Sequence, residues 1–215
     1  MKKSYIYFIY FLICSAGYSL LGEEQSNTSN IQFETFLKTT GKRYSLFFTV
    51  EGAYEKQNSQ FPFGEKVLMT DMPTNISSAI FALTNSIANL AVIADIADKR
   101  IYHIVDVRLL EKNGCPMNQV MDSAKFQGKA NKFVNFINGR VPGLSNESIY
   151  ANSDFVAANW LAVISIDATN ISVRDALSDG INLQGYNRII WKSFTSLETL
   201  KTTVQYLGPR SPLDP

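Results

Sequence analysis

Apolar positions along this chain fall into two periods. Phe33, Phe36 and Leu37 are spaced i, i+3, i+4, and so are Phe133, Phe136 and Ile137. That spacing puts three side chains on one face of a helix. A longer stripe, Ile76, Ile80, Leu83, Ile87 and Leu90, predicts one continuous amphipathic helix, and Val173, Ala176, Leu177 and Ile181 repeat it over a shorter span. Strand-like runs rich in β-branched and apolar residues precede these two helices, VLMTD (67–71) and AVISID (162–167). Two more follow each helix: LAVIADI (90–96) and RIYHIVDVRLL (100–110), then YNRIIWKSF (186–194) and TTVQYLG (202–208).

The tetrapeptide TNIS stands at the head of both longer stripes, at 74–77 and 169–172. Ser77 and Ser172 occupy the place of an N-cap, where a hydroxyl accepts a bond from a free helical N–H. Asp175, three residues after Ser172, makes an acidic variant of the capping box. Similar caps and strands occur in any protein that mixes helices and strands. Here the matches come in the same order twice, which points to two copies of one unit. The expected fold is α+β: two similar small units, residues 31–110 and 126–208, each with helices packed on a short mixed or antiparallel sheet. Residues 111–125 form the joint. Units this small are expected to share a core or pack closely.

The N-terminus changes the picture. Two lysines precede an apolar run from Tyr5 to Ile13, then Cys14, Ser15, Ala16 and Gly17, then a polar stretch. This is the pattern of a secretory signal peptide, placed at residues 1–22. Retention as an uncleaved anchor is the rival, and lipidation at Cys14 would need a small residue where Ile13 stands. The expected location is periplasmic or extracellular, with membrane contact only through an uncleaved or lipidated N-terminus. Removal of that segment leaves Cys115 as the single cysteine, so no internal disulfide can form. The Pro-rich end, residues 209–215, reads as a disordered tail.

Of the 215 residues, 46% are hydrophobic and 18% charged, with a net charge of +1, so no charge field calls for nucleic acid as a partner. The chain has no glycine-rich phosphate loop, no GxSxG and no acidic calcium loop. One histidine and one remaining cysteine do not make a common metal cluster, so neither a metal nor a cofactor is expected. His103 could act as a general base with Asp95 or Asp98 across a hairpin, or be a core-edge histidine with one hydrogen bond. Asp71 and Asp167 end comparable strands and serve either as acids or as turn formers. No catalytic residue is assigned. Phe61 and Phe63, in SQFPFGEK (59–66), either anchor a partner or fold back on the core, and they are the candidate binding residues.

The segment ISVRDALSDGINLQGYNRIIW (171–191) resembles the short N-terminal module of secretins and TonB-dependent receptors. That module has a strand, a helix carrying an Ala-Leu pair, a strand often introduced by Gly-aromatic, and a further strand. Ala176-Leu177 is the pair here, and Gly185-Tyr186 leads into Ile189-Ile190. The first copy offers Ala82-Leu83 and LAVIAD without the glycine. The resemblance implies a non-enzymatic module of the bacterial periplasm that makes protein contacts, and hence an envelope protein as partner. Two other readings stay open. One is a small exported hydrolase using acids or His103 at the interface of the units. The other is a carrier holding an apolar ligand in a cleft between them.

Overall fold

The computed structural model describes residues 29–55, 62–69, 71–144, 163–179 and 188–206. Its elements are β1 (Ser29–Gln32), α1 (Phe33–Tyr44), β2 (Phe47–Tyr54), β3 (Lys66–Met69), α2 (Ile76–Ser86), β4 (Leu90–Ala94) and β5 (Ile101–Asp106). There follow the short helix α3 (Val107–Leu110), a 3-10 turn at Pro116–Asn118, β6 (Val120–Lys129), α4 (Ala130–Asn138), β7 (Val163–Ser172), α5 (Val173–Asp179), β8 (Ile189–Ser196) and β9 (Thr202–Tyr206). The fold is α+β, as the periodicities predict. The expected signal segment, Phe61, Ile181, Gly185-Tyr186 and the tail lie outside the described residues.

A five-stranded sheet in the order β4-β5-β2-β8-β9 runs through the middle of the molecule. Central β2 pairs in parallel with β5 on one side and β8 on the other, while β4 and β9 close the two edges antiparallel to their neighbours. Its sequence FFTVEGAY is buried except at Tyr54, as a strand covered on both faces requires. Alternation along β2 and β5 then sorts the core into two layers. Phe48, Val50 and Ile104 face a cluster built with α1, α2 and β3. Phe47, Ala53, Ile101 and Val105 face a second cluster built with β6, α4, β7 and α5.

Each face is thus roofed by one half of the chain. The roofs share a plan: β1 and β3 pair antiparallel and precede α1 and α2, while β6 and β7 pair antiparallel and precede α4 and α5. Each half then contributes an antiparallel pair to the sheet, β4/β5 and β8/β9. In each half a segment after the first helix runs parallel to the last strand: β2 beside β5, and Leu144 beside Thr202 of β9. The sheet itself is common property, because β2 of the first half pairs with β8 of the second.

The two TNIS segments do not stand at equivalent points. In α2 the N-cap is Asn75, whose Oδ1 accepts from the Ser78 N–H at 2.8 Å, while the Asn75 N–H donates to Ser78 Oγ at 3.1 Å. Ser77 is an exposed residue of the first turn, so its expected capping role is corrected. The second TNIS belongs to β7, paired with β6 through Thr169↔Ser123, Ile171↔Met121 and Ser172↔Val120. There Ser172 does cap: its Oγ accepts from the Asp175 N–H at 3.0 Å.

Candidate functional site

The most concentrated chemistry lies between the sheet and α5. Asp95 starts the turn that joins β4 to β5. Its Oδ1 accepts the N–H groups of Ala97 at 2.7 Å and Asp98 at 2.9 Å, an Asx turn that fixes the carboxylate. Its Oδ2 then meets Nε2 of His103 at 3.1 Å. His103 sits on β5 opposite Thr49 of β2, and Thr49 Oγ1 lies 2.8 Å from Nδ1. From above, the first turn of α5 brings Asp175 Oδ1 to 3.3 Å from the same Nε2. Asp175 Oδ2 accepts the Ser172 hydroxyl at 2.6 Å. The indole of Trp191 on β8 stacks against the imidazole at 6.3 Å between centroids, and its N–H donates to Ser178 Oγ at 3.2 Å.

A second ion pair continues the network. Arg174, also on α5, donates from Nε and Nη2 to the two oxygens of Glu51 on β2, the latter at 2.8 Å, and from Nη2 to Asn118 Oδ1 at 3.0 Å. Glu51, Thr49 and His103 have no exposed surface, and Arg174 is buried. Buried charges persist only when paired and hydrogen-bonded. Burial on its own would lower the His103 pKa, but the bonds to Asp175 and Asp95 outweigh it and hold it above the ordinary value. Burial would likewise raise Asp175, and the bonds from His103 and Ser172 bring it below the usual carboxylate range. Arg174 is pulled down by burial and raised, on balance, by Glu51.

No family model, curated protein or solved structure matches this chain. Among the described residues no helix is long and apolar enough to cross a membrane.

The expected partnership of His103 with Asp95 across the hairpin is present, whereas Asp98 instead pairs with Arg100 at the surface. The imidazole is fully buried and holds more than one hydrogen-bond partner, so it is not a core-edge residue. Asp71 is exposed after β3, and Asp167 is exposed and pairs with Lys125 across the β6/β7 ribbon. Neither joins the cluster. Cys115 is a buried free thiol, and burial pushes its pKa up, which makes it a poor nucleophile. Phe63 folds back on the body of the protein, against residues of both halves. It packs edge-on to Phe33 at 5.6 Å and tilted on Phe194 at 5.7 Å, with Lys192 over its ring at 4.3 Å. Its companion Phe61 lies outside the described residues.

The spacing did not reveal Thr49, Glu51, Arg174 or the second role of Asp175. A signal for two of them was present: Thr49 and Glu51 interrupt the apolar run of a central strand, which is costly without partners. Within the cluster His103 has no exposed surface, and Asp95 and Asp175 are buried. The groove of about 310 Å³ beside residues 119–123, Arg140 and Val141 lies elsewhere. The apolar space between α1, α2 and the sheet amounts to about 10 Å³.

Proposed function

We propose that this chain is an exported, non-enzymatic protein-binding or assembly module of the bacterial envelope, and that its partner adds to the edge of the five-stranded sheet at β4. Export rests on the lysines and apolar run of residues 1–22. The module reading is supported by a repeated order of elements: β3-α2-β4-β5 carries Ala82-Leu83 on its helix, and β7-α5-β8-β9 carries Ala176-Leu177. In both helices the leucine is buried against the core. The hydrolase alternative requires a substrate to reach His103 or a pair of converging acids. His103 and the two acids that converge on it, Asp95 and Asp175, are buried, while Asp71 and Asp167 are exposed outside the cluster.

One observation carries the binding reading. Strand β4 is the last in the sheet order, and among the described residues nothing pairs with its outer edge. Its sequence LAVIA contains no charge, proline or glycine, the usual devices that blunt an edge. Two residues beyond it Ile96 is 75% exposed. An open apolar edge beside an exposed isoleucine suits an incoming strand, whose main chain supplies affinity and whose side chains supply choice.

The test is capture from an envelope extract of the host with the full chain, set beside Ile96→Lys and Ala94→Lys. Both substituted positions are exposed, so the fold is retained. A specific partner should bind at least about tenfold more weakly to either variant, a loss of about 1.4 kcal/mol. In the complex, backbone amides of residues 90–94 should gain protection from hydrogen exchange. A partner that binds both variants equally and leaves those amides unprotected sinks the edge. Failure to capture any partner sinks the module reading.

A further inference from the structure

His103 Nε2 can carry one proton, yet two carboxylate oxygens point at it, Asp95 Oδ2 at 3.1 Å and Asp175 Oδ1 at 3.3 Å. One N–H shared between two anionic oxygens in a buried site satisfies neither fully. The outer atoms of the same three side chains are already engaged. His103 Nδ1 lies against Thr49 Oγ1, Asp95 Oδ1 accepts two backbone N–H groups, and Asp175 Oδ2 accepts the Ser172 hydroxyl. Each group is therefore held from outside and offers one inner atom. Metal-binding histidines and carboxylates are oriented in this way, by hydrogen bonds to the atoms that do not touch the ion.

The three inner atoms lie within 4.8 Å of one another. A tetrahedral ion with bonds of about 2.0–2.1 Å needs ligand atoms about 3.3 Å apart. The two distances to Nε2 fit that edge. We propose that Asp95, His103 and Asp175 bind a divalent transition-metal ion of the zinc class, which ties the β4–β5 turn of the first half to α5 of the second. The imidazole selects against calcium and magnesium, which take oxygen ligands in larger sets.

Two features of the surroundings agree. The side chain of Asp175 is 11% exposed, so the cluster approaches solvent on the α5 side. Asp179, one turn further along α5, is exposed, and burial together with the negative charges of Asp95, Asp175 and Asp98 pushes its carboxyl up. Asp179 thus adds a carboxyl beside Asp95 and Asp175, although Arg100 already pairs with Asp98 and Lys99 reaches the Asp95 carbonyl. With His103 sealed from substrate, the ion's role is structural. The inference stands independently of the partner reading.

The experiment uses the full chain without an affinity tag, stripped by a chelator and titrated with zinc alone, then with cobalt for its visible absorption. One ion should bind per chain and raise the melting temperature. Asp175→Asn should weaken binding by at least about 100-fold, and Thr49→Val, which removes the support behind the imidazole, by about 10–100-fold. Lys125→Ala, in the exposed pair with Asp167, should leave binding unchanged. His103→Gln should abolish it. If that variant does not fold, the Asp175 and Thr49 variants keep the test open. A folded, stripped chain that takes up neither zinc nor cobalt overturns the proposal, and the cluster is then a protonated histidine shared by two aspartates. Uptake that Asp175→Asn leaves unchanged overturns it equally.

Discussion

Glu51 and Arg174 show what a single pair of residues can decide in this molecule. Glu51 stands in the central strand with no exposed surface, and Arg174 reaches it from the helix of the other half. Removing one partner leaves a buried charge without compensation. Arg174→Met should therefore destabilise the protein by about 3–5 kcal/mol. The double variant Glu51→Gln/Arg174→Met removes both charges and should recover most of that loss. Urea denaturation of the single and double variants measures the coupling. If Arg174→Met costs no more than an ordinary surface substitution, the pair is not a buried lock. At this scale the sequence was only partly readable. The contact of His103 with Asp95 spans one hairpin, and local pattern suffices to propose it. Its contact with Asp175, and that of Glu51 with Arg174, join halves of the chain that no local period connects.

The helix starts are a sharper test of local reading, because the chain offers the same four residues twice. Identical TNIS segments are used differently: Asn75 caps α2, while Asn170 lies within β7 in a left-handed conformation and Ser172 caps α5. The difference comes from β7, which runs directly into its helix, whereas several residues separate Met69 of β3 from α2. Asn75→Ala should cost about 1 kcal/mol, a usual figure for losing a cap. Ser77→Ala, exposed and bonded to no cap, should stay within about 0.5 kcal/mol. Ser172→Ala should cost more than Ser77→Ala, since it also frees the Asp175 carboxylate from its hydroxyl donor. Shifts in urea midpoint at constant slope would read all three. Equal losses at Ser77 and Asn75 would restore the cap to the serine. The apolar stripe misled at the other end of α2. Ile87 and Leu90 continue its spacing, but the helix stops at Ser86, and Asn89, with φ of 62°, turns the chain so that Leu90 opens β4. Buried residues of a strand can extend a helical period by coincidence, and periodicity alone does not mark the break.

Across the whole molecule, the expectation of two units, each with its own sheet, meets a sheet that neither half completes. The parallel seam of β2 and β8 is a non-local pairing between strands whose composition is equally suited to either neighbour, so no run of residues announces it. Its energetic consequence is large. The cluster on the α5 face takes Phe47, Ala53, Ile101 and Val105 from the first half and Ile190, Trp191 and Val204 from the second, and the charged network crosses the same boundary. Separating the halves would expose that apolar face and leave His103 and Glu51 without their partners on α5. The chain should accordingly unfold as one cooperative unit. Far-UV circular dichroism, which weights helices and strands everywhere, and tryptophan fluorescence, which reports on the second half, should give superimposable transitions in urea. A fragment ending at residue 119 should be expanded, bind a hydrophobic dye and melt without a cooperative step. Two separated transitions, or a fragment with a dispersed amide spectrum and a sharp melt, would mean that the first half holds its core by itself and that the seam joins two bodies already folded.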